Sequence, residues 1–426
     1  MINETAFKSK FCHEILIYLL QKYENSNSFY TGKPTNRRPQ ISFIGNNPFA
    51  NDYFDEMDYY KKEWIHEVLA ELEQKGVVSL AWEKYWEGKK LSKVFLNYEQ
   101  IDTAYKIAGI ESKLGKLNRL KNIIEPLKNH QWKSIQNWAN MTIQNLNVRK
   151  QTGLNIKDID IYEDLTRVLD YLPDIKSNVP KRILSHKLFS DSKYFEKQVE
   201  QPLASLLNKI YQLDFKSNDE LLAYFGIVQH TKLVIYKGDL SWGINGKEVS
   251  SNDFIGGLGI SDITVQNMDI RKIGANKIIL IENLTSYEQW IRQRINENEL
   301  VIYTGGYPHR LLQNFLEKLS VFLSQQKEHN IPLFHWGDID IGGIKIFFYI
   351  KNRFFPGLKP LLMDTEVLVS HQGNAMAISE SYRNKINDMK ASMEYNGWLS
   401  LLDVMLELGV RLEQESIFDV SKIDIK

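Results

Sequence analysis

The sequence of 426 residues has a single cysteine, Cys12, and no long apolar run. One cysteine cannot form a disulfide within the chain, and the sequence shows no cysteine and histidine cluster with the spacing of a zinc site. No apolar stretch is long enough to span a bilayer, and the N-terminus has no apolar signal core. We therefore expect a cytoplasmic protein without a membrane partner. The pattern G-x-x-x-x-G-K-[ST] is also missing, which argues against ATP hydrolysis by this chain.

The charges balance, with 53 Lys and Arg against 53 Asp and Glu, so the net charge gives no support for binding to nucleic acid. Their distribution is uneven, because residues 101–150 carry nine basic side chains against Asp102, Glu111 and Glu125. A solvated helical face explains such a segment. A surface that follows a phosphate backbone explains it as well, and the sequence leaves both interpretations open.

At this length the chain is expected to form several domains in a multidomain α/β protein. Residues 1–100 predict a winged-helix-like module. Helices are expected at 8–23 and around 64–72, the second one ending near Gly76, and a hairpin is expected at 77–96. Residues 101–180 predict a helical arm or linker, because they contain few strand signals.

A second helix-plus-wing unit is predicted at residues 181–268. Helices are expected at 196–211 and 220–225, followed by a strand at 232–236 and a hairpin that turns at Asn245-Gly246. This pattern again favours a winged helix, which can contact DNA or protein.

Residues 269–426 alternate between strands and helices, which predicts a parallel sheet. The expected strands are Lys277–Ile281, Leu300–Thr304 and Pro332–Trp336, and the expected helices are 287–295, 310–323 and 344–352. Ligands of such sheets bind at the carboxyl ends of the strands. That edge should carry Glu282, the pair Gly305-Gly306, and the acids of an Asp-x-Asp pattern, Asp338 and Asp340.

These three carboxylates predict a site for Mg²⁺ or Mn²⁺, which bind oxygen ligands and serve phosphate chemistry. Side chains two residues apart share one face of an extended segment, so Asp338 and Asp340 can reach one ion. Glu282 can complete the site or act as a general base. Simpler alternatives remain, because an Asp-x-Asp can be a turn or a helix cap, and Glu282 can cap the helix that follows.

The order of these motifs resembles the Toprim domain of topoisomerases, primases and related nucleases. Within that group the chain is similar to the JetD family, the nuclease subunits of Wadjet anti-plasmid defence systems. The similarity is carried by the segments IENLTSYEQW, YTGGYPHRLLQNFL and HWGDIDIGGIKIF, with LFSDSK (188–193) before them and RLEQES (411–416) after them.

The resemblance implies a Toprim domain at 269–426 and a domain at 181–268 like the catabolite-activator (CAP-like) winged helix of topoisomerase VI. It implies metal-dependent cleavage of double-stranded DNA, with Glu282, Asp338 and Asp340 as catalytic residues and metal ligands. It also implies a homodimer that works with an SMC-type loop-extruding ATPase, its kleisin and a small accessory protein. Two alternatives stay open, a transesterase that uses a tyrosine such as Tyr194, and a DNA-binding adaptor without catalysis.

Several other side chains are secondary candidates. Arg182, Lys193 and Arg310 can contact DNA phosphates or form ordinary surface ion pairs. Glu415 is a possible additional acid, although we expect Glu415 to lie with Glu413 in a final helix. His335 alternates with aromatic residues, so we interpret it as structural.

Overall fold

The structure, a computed structural model, describes residues 3–45, 47–326 and 331–425. Residues 1, 2 and 426, at the ends of the first and last predicted domains, lie outside the described residues. The fold is mixed α/β, as predicted, and the chain divides into two compact units, Met1–Thr166 and Arg167–Lys426. The division into four domains stays a prediction. Among the described residues, none of the helices has the length and apolar character required to traverse a lipid bilayer.

The first unit combines helices with a small antiparallel sheet of order β1-β3-β2. The helices are α1 (Glu4–Glu24), α2 (Asn27–Thr31), α3 (Ala50–Tyr53), α4 (Tyr60–Gln74), α5 (Ile101–Ala108), α6 (Lys113–Ile124), α7 (Lys133–Asn147) and α8 (Asp160–Tyr171), whose last turns belong to the second unit. The strands are β1 (Gln40–Ser42), β2 (Val78–Trp82) and β3 (Leu91–Leu96).

The core of the first unit follows from the apolar spacing along α1 and α4. The buried residues of α1 and of α4 recur three or four positions apart, so each helix buries one face (Phe11, Ile15, Leu16, Leu19, Leu20, Ile65, Val68, Leu69, Leu72). Gly76 follows α4 with a φ of +70°, a conformation that favours glycine after a helix. The two predicted helices and the hairpin are thus confirmed.

The second unit contains the remaining elements. Its helices are α9 (Lys181–Phe189), α10 (Glu200–Tyr211), α11 (Asn218–Tyr224), α12 (Asp262–Asn267), α13 (Leu284–Gln293), α14 (Arg310–Gln325), α15 (Ile341–Arg353), α16 (Thr365–Ser370), α17 (Glu380–Lys390) and α18 (Leu399–Leu408). Its strands are β4 (Val179–Pro180), β5 (Ile227–Val228), β6 (Val234–Lys237), β7 (Leu240–Ile244), β8 (Lys247–Ser250), β9 (Leu258–Ile260), β10 (Asp269–Ile273), β11 (Lys277–Ile281), β12 (Glu299–Tyr303), β13 (Leu333–Trp336), β14 (Lys359–Pro360), β15 (Met376–Ala377) and β16 (Val410–Arg411).

The main sheet of this unit has the order β14-β13-β11-β12-β6-β9 within the described residues. The strands β14, β13, β11 and β12 run parallel, and β6 and β9 extend the sheet in antiparallel fashion. Ile281 at the end of β11 pairs with Tyr303 of β12 and Trp336 of β13. The residues that follow these three strands therefore leave the sheet at one edge.

Three smaller sheets complete the second unit within the described residues. A three-stranded sheet has the order β10-β7-β8, and its hairpin turns at Asn245 and Gly246 with φ values of +50° and +74°. Positive φ at both central residues is typical of a type I′ turn, so the predicted hairpin is confirmed. The strands β15 and β16 pair with each other, as do β4 and β5.

Some predicted boundaries are wrong. The helix expected at 196–211 is confirmed in its extent, but its first turn, Phe195–Val199, is π-helical and α10 follows it. The helix expected at 287–295 begins at Leu284, because the side chain of Asn283 accepts the backbone N–H of Thr285 at 2.8 Å. The final helix expected around Glu413 and Glu415 is instead a 3-10 turn, Gln414–Ser416.

Candidate functional site

Glu282 lies at the carboxyl edge of the main sheet, directly after the central strand β11. The residue is only 3% exposed, and its backbone N–H donates to the carbonyl of Trp336 on β13 at 3.0 Å. Its own carbonyl accepts the N–H of Gly305, which follows β12, at 3.1 Å. Both neighbouring strands therefore fix the backbone of Glu282. Asn283 caps α13, so the alternative in which Glu282 is the helix cap is wrong.

The Asp-x-Asp segment leaves β13 beside Glu282 and is held extended by the C-terminal part of the chain. Ile339 exchanges two backbone hydrogen bonds with Leu412, at 2.9 and 3.1 Å. Because Ile339 lies between them, Asp338 and Asp340 share one side of this extended segment. The segment thereby presents both acids next to the end of β11.

Asp338 and Glu282 are joined by a cation from another part of the chain. The ammonium Nζ of Lys216 lies 2.9 Å from Glu282 Oε1 and 3.2 Å from Asp338 Oδ2. The other carboxylate oxygen of Asp338, Oδ1, accepts the backbone N–H of Gln414 at 2.9 Å. Lys216 lies in the loop between α10 and α11, 66 residues before Glu282 in the chain. Lys216 was not among the predicted site residues, because no local pattern in the sequence marks this lysine.

Asp340 has a second role as the N-cap of α15. Its Oδ1 accepts the N–H of Gly343 at 2.7 Å, and its Oδ2 lies 3.5 Å from the guanidinium of Arg411. The helix-cap interpretation of the Asp-x-Asp pattern is therefore confirmed for Asp340. Capping and proximity to the other two acids are compatible, because a carboxylate has several acceptor positions.

Gly337 makes room for the Glu282 carboxylate. A Cβ atom built on Gly337 would lie 2.7 Å from Glu282 Oε2 and 2.9 Å from His335 Cε1. Real Cβ atoms essentially never approach so closely, so any larger residue here displaces one of these groups. Gly305 and Gly306, after β12, have φ values of +67° and +80°, which favour glycine.

Gln414 ties the C-terminal segment to the ends of β11 and β13. Its Nε2 donates to the carbonyl of Trp336 at 2.8 Å, and its Oε1 accepts the N–H of Asn283 at 2.8 Å. Its backbone N–H donates to Asp338. Glu413 and Glu415 were predicted candidates and Gln414 between them was not, because a neutral glutamine within the RLEQES segment gives no sign of these contacts. Glu415 accepts from the side-chain amide of Asn283, beside Glu282, whereas Glu413 is exposed.

The electrostatics of the site follow from burying several carboxylates together. Burial, together with the charges of Asp338 and Asp340, raises the pKa of Glu282 to about 7, against the opposing effect of Lys216. Burial also raises the pKa of Asp340, while the hydrogen bond from Gly343 opposes this shift. Burial lowers the pKa of Lys216, but the nearby charges of Glu282 and Asp338 outweigh it and raise that pKa above its ordinary value. The site thus has a surplus of negative charge that favours an added cation.

The two histidines near these segments are neutral. Burial lowers the pKa of His335 to about 3, and its side chain has no exposed surface. Burial lowers the pKa of His309 to about 4, and its Nδ1 accepts the N–H of Leu312 as the cap of α14. His335 is thus a core side chain, in keeping with the structural role that we expected.

The other predicted residues lie on different elements. Arg182 is exposed on α9, and Lys193 is exposed in the turn after it. Arg310 begins α14, and its Cγ lies 3.3 Å from a Cβ built on Gly226. Tyr194 is half-buried beside Phe189, with 5.0 Å between the ring centroids. The structure brings together Glu282, Asp338 and Asp340, and the roles of the other residues stay predictions.

The residues present can accommodate a divalent cation, although it would compete with Lys216. Within residues 3–45, 47–326 and 331–425, no group of three or more His, Cys, Asp or Glu side chains is arranged closely enough to hold a metal ion. However, the Lys216 ammonium contacts two of the carboxylates at once, so one cation can bridge them. Glu282 Oε2 is buried and has no hydrogen-bond partner in the same residues, so it has free acceptor capacity. Carboxylate oxygens are the ligands that Mg²⁺ and Mn²⁺ prefer.

Comparison with known proteins gives two matches. The family model described as Wadjet protein JetD, C-terminal, matches residues 244–423, which include the three carboxylates. A curated protein named Wadjet protein JetD, from Bacillus cereus (strain Q1), is 36% identical over 411 residues. The alignment covers 96% of this chain and 98% of that relative.

Proposed function

The chain belongs to the family of the Wadjet protein JetD, and from this membership we propose that it is a metal-dependent DNA endonuclease. It cleaves double-stranded plasmid DNA as the effector of a Wadjet defence system. The observation that carries the proposal is the convergence of Glu282, Asp338 and Asp340 at the carboxyl edge of one parallel sheet. A metal-dependent nuclease needs negative side chains of this kind to hold a cation near the scissile phosphate.

The domain assignments belong to the same proposal. Residues 269–426 form a Toprim domain, supported by the parallel strands β11, β12 and β13 and the acids that follow them. Residues 181–268 form a CAP-like winged helix, residues 101–180 a helical arm, and residues 1–100 a winged-helix-like module. The helices and three-stranded antiparallel sheet of the first unit support the last of these assignments.

Each residue at the site has a separate role in this proposal. Glu282 and Asp338 would hold the divalent cation, and Asp340 adds negative charge while it caps the start of α15. Gln414 and Leu412 hold the Asp-x-Asp segment in place, and Gly337 leaves space for the Glu282 carboxylate. A bound Mg²⁺ or Mn²⁺ would supply positive charge that stabilises negative charge on the phosphate.

The partners are also proposed from family membership. The chain acts as a homodimer in which each site addresses one DNA strand. It works with an SMC-type loop-extruding ATPase, a kleisin and a small accessory protein, which supply the energy and the choice of target. Arg182, Lys193 and Arg310 are candidate phosphate contacts on the DNA path.

The proposal is tested by plasmid cleavage with the reconstituted complex, in Mg²⁺, in Mn²⁺ and with a chelator. We expect linear product only with a divalent ion, and a loss of at least about a hundredfold in Asp338→Asn. This substitution keeps the shape of the side chain and its acceptor for the Gln414 N–H. Glu413→Gln is the matched control, because Glu413 is an exposed acid close to the site in sequence, and it should cleave like the wild type.

Other outcomes would point to the alternatives. DNA that stays covalently attached to the protein after denaturation would indicate a tyrosine transesterase, and Tyr194→Phe would then abolish the attachment. Full cleavage by a folded Asp338→Asn variant would contradict the assignment of the site. A complex that binds DNA and never cuts it, with any of these ions, would favour an adaptor.

A further inference from the structure

Lys216 is the feature of the site that the proposed function leaves unexplained. Its ammonium lies within 3.2 Å of oxygens from both Glu282 and Asp338, whose side chains are 2% and 11% exposed. The lysine side chain as a whole is 61% exposed, so its stem runs through solvent and only its charged end enters the site. Such a side chain can withdraw from the carboxylates without disturbing any core packing.

Hydrogen bonds fix the backbone of the loop that carries Lys216, so the side chain extends towards the carboxylates from a fixed position. The N–H of Lys216 donates to Glu220 Oε2 at 2.6 Å, and Glu220 Oε1 accepts the N–H of Tyr307 at 3.1 Å. The ring of Phe215 packs on Tyr307 with 5.0 Å between centroids. Glu220 therefore links the Lys216 loop to the segment that follows β12.

A lysine and a divalent ion cannot occupy this position together. Both cations are attracted to the carboxylates of Glu282 and Asp338, and two cations a few ångströms apart repel each other strongly in a partly buried site. The Glu282 and Asp338 pair is also costly to leave without a cation, because like charges that are buried together destabilise the fold. The Lys216 ammonium neutralises part of this negative charge, and a divalent ion from solution can replace it.

We infer that Lys216 is a built-in competitor of the divalent ion, which pairs with Glu282 and Asp338 until the ion displaces it. The inference rests on the proposed function, because it assumes that these two carboxylates are metal ligands. Lys216 lowers the affinity of the site for the divalent ion, relative to a site without the lysine. It therefore raises the ion concentration at which the site becomes occupied. A lysine that instead positioned the carboxylates for the ion would have the opposite effect on affinity.

The first test measures Mn²⁺ affinity by calorimetry at pH 8 on the purified full chain. Lys216→Met removes the charge, and we expect it to bind Mn²⁺ about tenfold more tightly than the wild type. Lys216→Arg keeps the charge and should bind within about twofold of the wild type. Lys390→Met is the matched control, since it removes a lysine that pairs with Asp403 in the same unit, and its affinity should not change.

Asp338→Asn separates failure of the inference from failure of the proposed function. If Asp338→Asn loses Mn²⁺ binding and Lys216→Met binds no more tightly than the wild type, the competitor role is wrong and the metal site stands. If Asp338→Asn binds like the wild type, or if neither the wild type nor Lys216→Met binds Mn²⁺, the metal site is wrong and the inference falls with it.

A second test uses the wild-type protein and needs no variant to fold. Reductive methylation of lysines, followed residue by residue with mass spectrometry, reports how freely each ammonium reacts. We expect the methylation rate of Lys216, relative to Lys390, to rise severalfold when Mn²⁺ is added. An unchanged relative rate would mean that the ion does not displace Lys216, and it would overturn the inference.

Discussion

Gly337→Ala adds one methyl group between two buried side chains of the site. The new Cβ would lie 2.7 Å from Glu282 Oε2 and 2.9 Å from His335 Cε1. The Glu282 oxygen must recede by about 0.7 Å to restore an ordinary contact of 3.4 Å. Neither neighbour moves freely, since His335 has no exposed surface and Glu282 is bound to Lys216 through its other oxygen. The Glu282 carboxylate is therefore displaced from the position in which it contacts Lys216 together with Asp338.

The size of the effect can be estimated in two ways. Adding a methyl group to a packed interior costs roughly 1–3 kcal/mol in the free energy of unfolding. For a unit of this size that corresponds to a fall in Tm of roughly 2–10 °C. Displacement of a catalytic group by about 1 Å lowers activity by roughly a hundredfold. We expect activity to fall much further than stability.

The measurement pairs thermal unfolding with plasmid cleavage by the reconstituted complex. Gly357→Ala is the matched control, because its φ lies outside the positive region and a Cβ there would meet no atom of the described residues within 4 Å. It should match the wild type in both assays. A Gly337→Ala protein with wild-type Tm and wild-type cleavage would refute the argument, since it would show that the Glu282 carboxylate does not need this space.

Two further predictions concern the same site. Gln414→Ala should lower the free energy of unfolding by about 1–3 kcal/mol, because it leaves the Asn283 N–H without its partner and the Trp336 carbonyl with only the N–H of Glu282. Chemical denaturation of Gln414→Ala beside the exposed Glu413→Ala measures this change. The ionisation of Glu282 destabilises the fold as the pH rises from its ordinary pKa of 4.5 towards about 7, because the folded protein keeps the proton longer. With a chelator present, the Tm of Glu282→Gln relative to the wild type should therefore be higher at pH 8 than at pH 5. A difference that does not change with pH would contradict this reasoning.

The strands and helices of the second unit were largely predictable from local patterns. The run KIILI is strongly apolar because β11 is covered on both faces, and Ile278 to Ile281 have no exposed surface. Once four strands are parallel, the positions of Glu282 and Asp338 at one edge follow from the order of the elements. The sequence could therefore indicate the acids of the site and the edge on which they meet.

The remaining parts of the site depend on contacts between distant segments. Lys216 reaches Glu282 from a loop between two helices, and Gln414 reaches Asp338 across 76 residues of sequence. Lys216 lies in no motif, and the RLEQES segment that contains Gln414 gives no sign of this contact, because only the tertiary fold brings the two residues near the acids. The final helix was mispredicted for the same reason. Leu412 pairs with Ile339, and this long-range bridge replaces the local helical hydrogen bonds that the residue types alone favour.

The pairing of Leu412 with Ile339 also determines the stage of synthesis at which the Asp-x-Asp segment gains its partner. Synthesis proceeds from the N-terminus, so β11 and β13 exist well before residues 412 to 414 are made. Until then the Asp-x-Asp loop has no opposite strand, and Asp338 lacks the Gln414 amide. A polypeptide that terminates before Leu412 therefore lacks the backbone contacts that hold Asp338 and Ile339 in place.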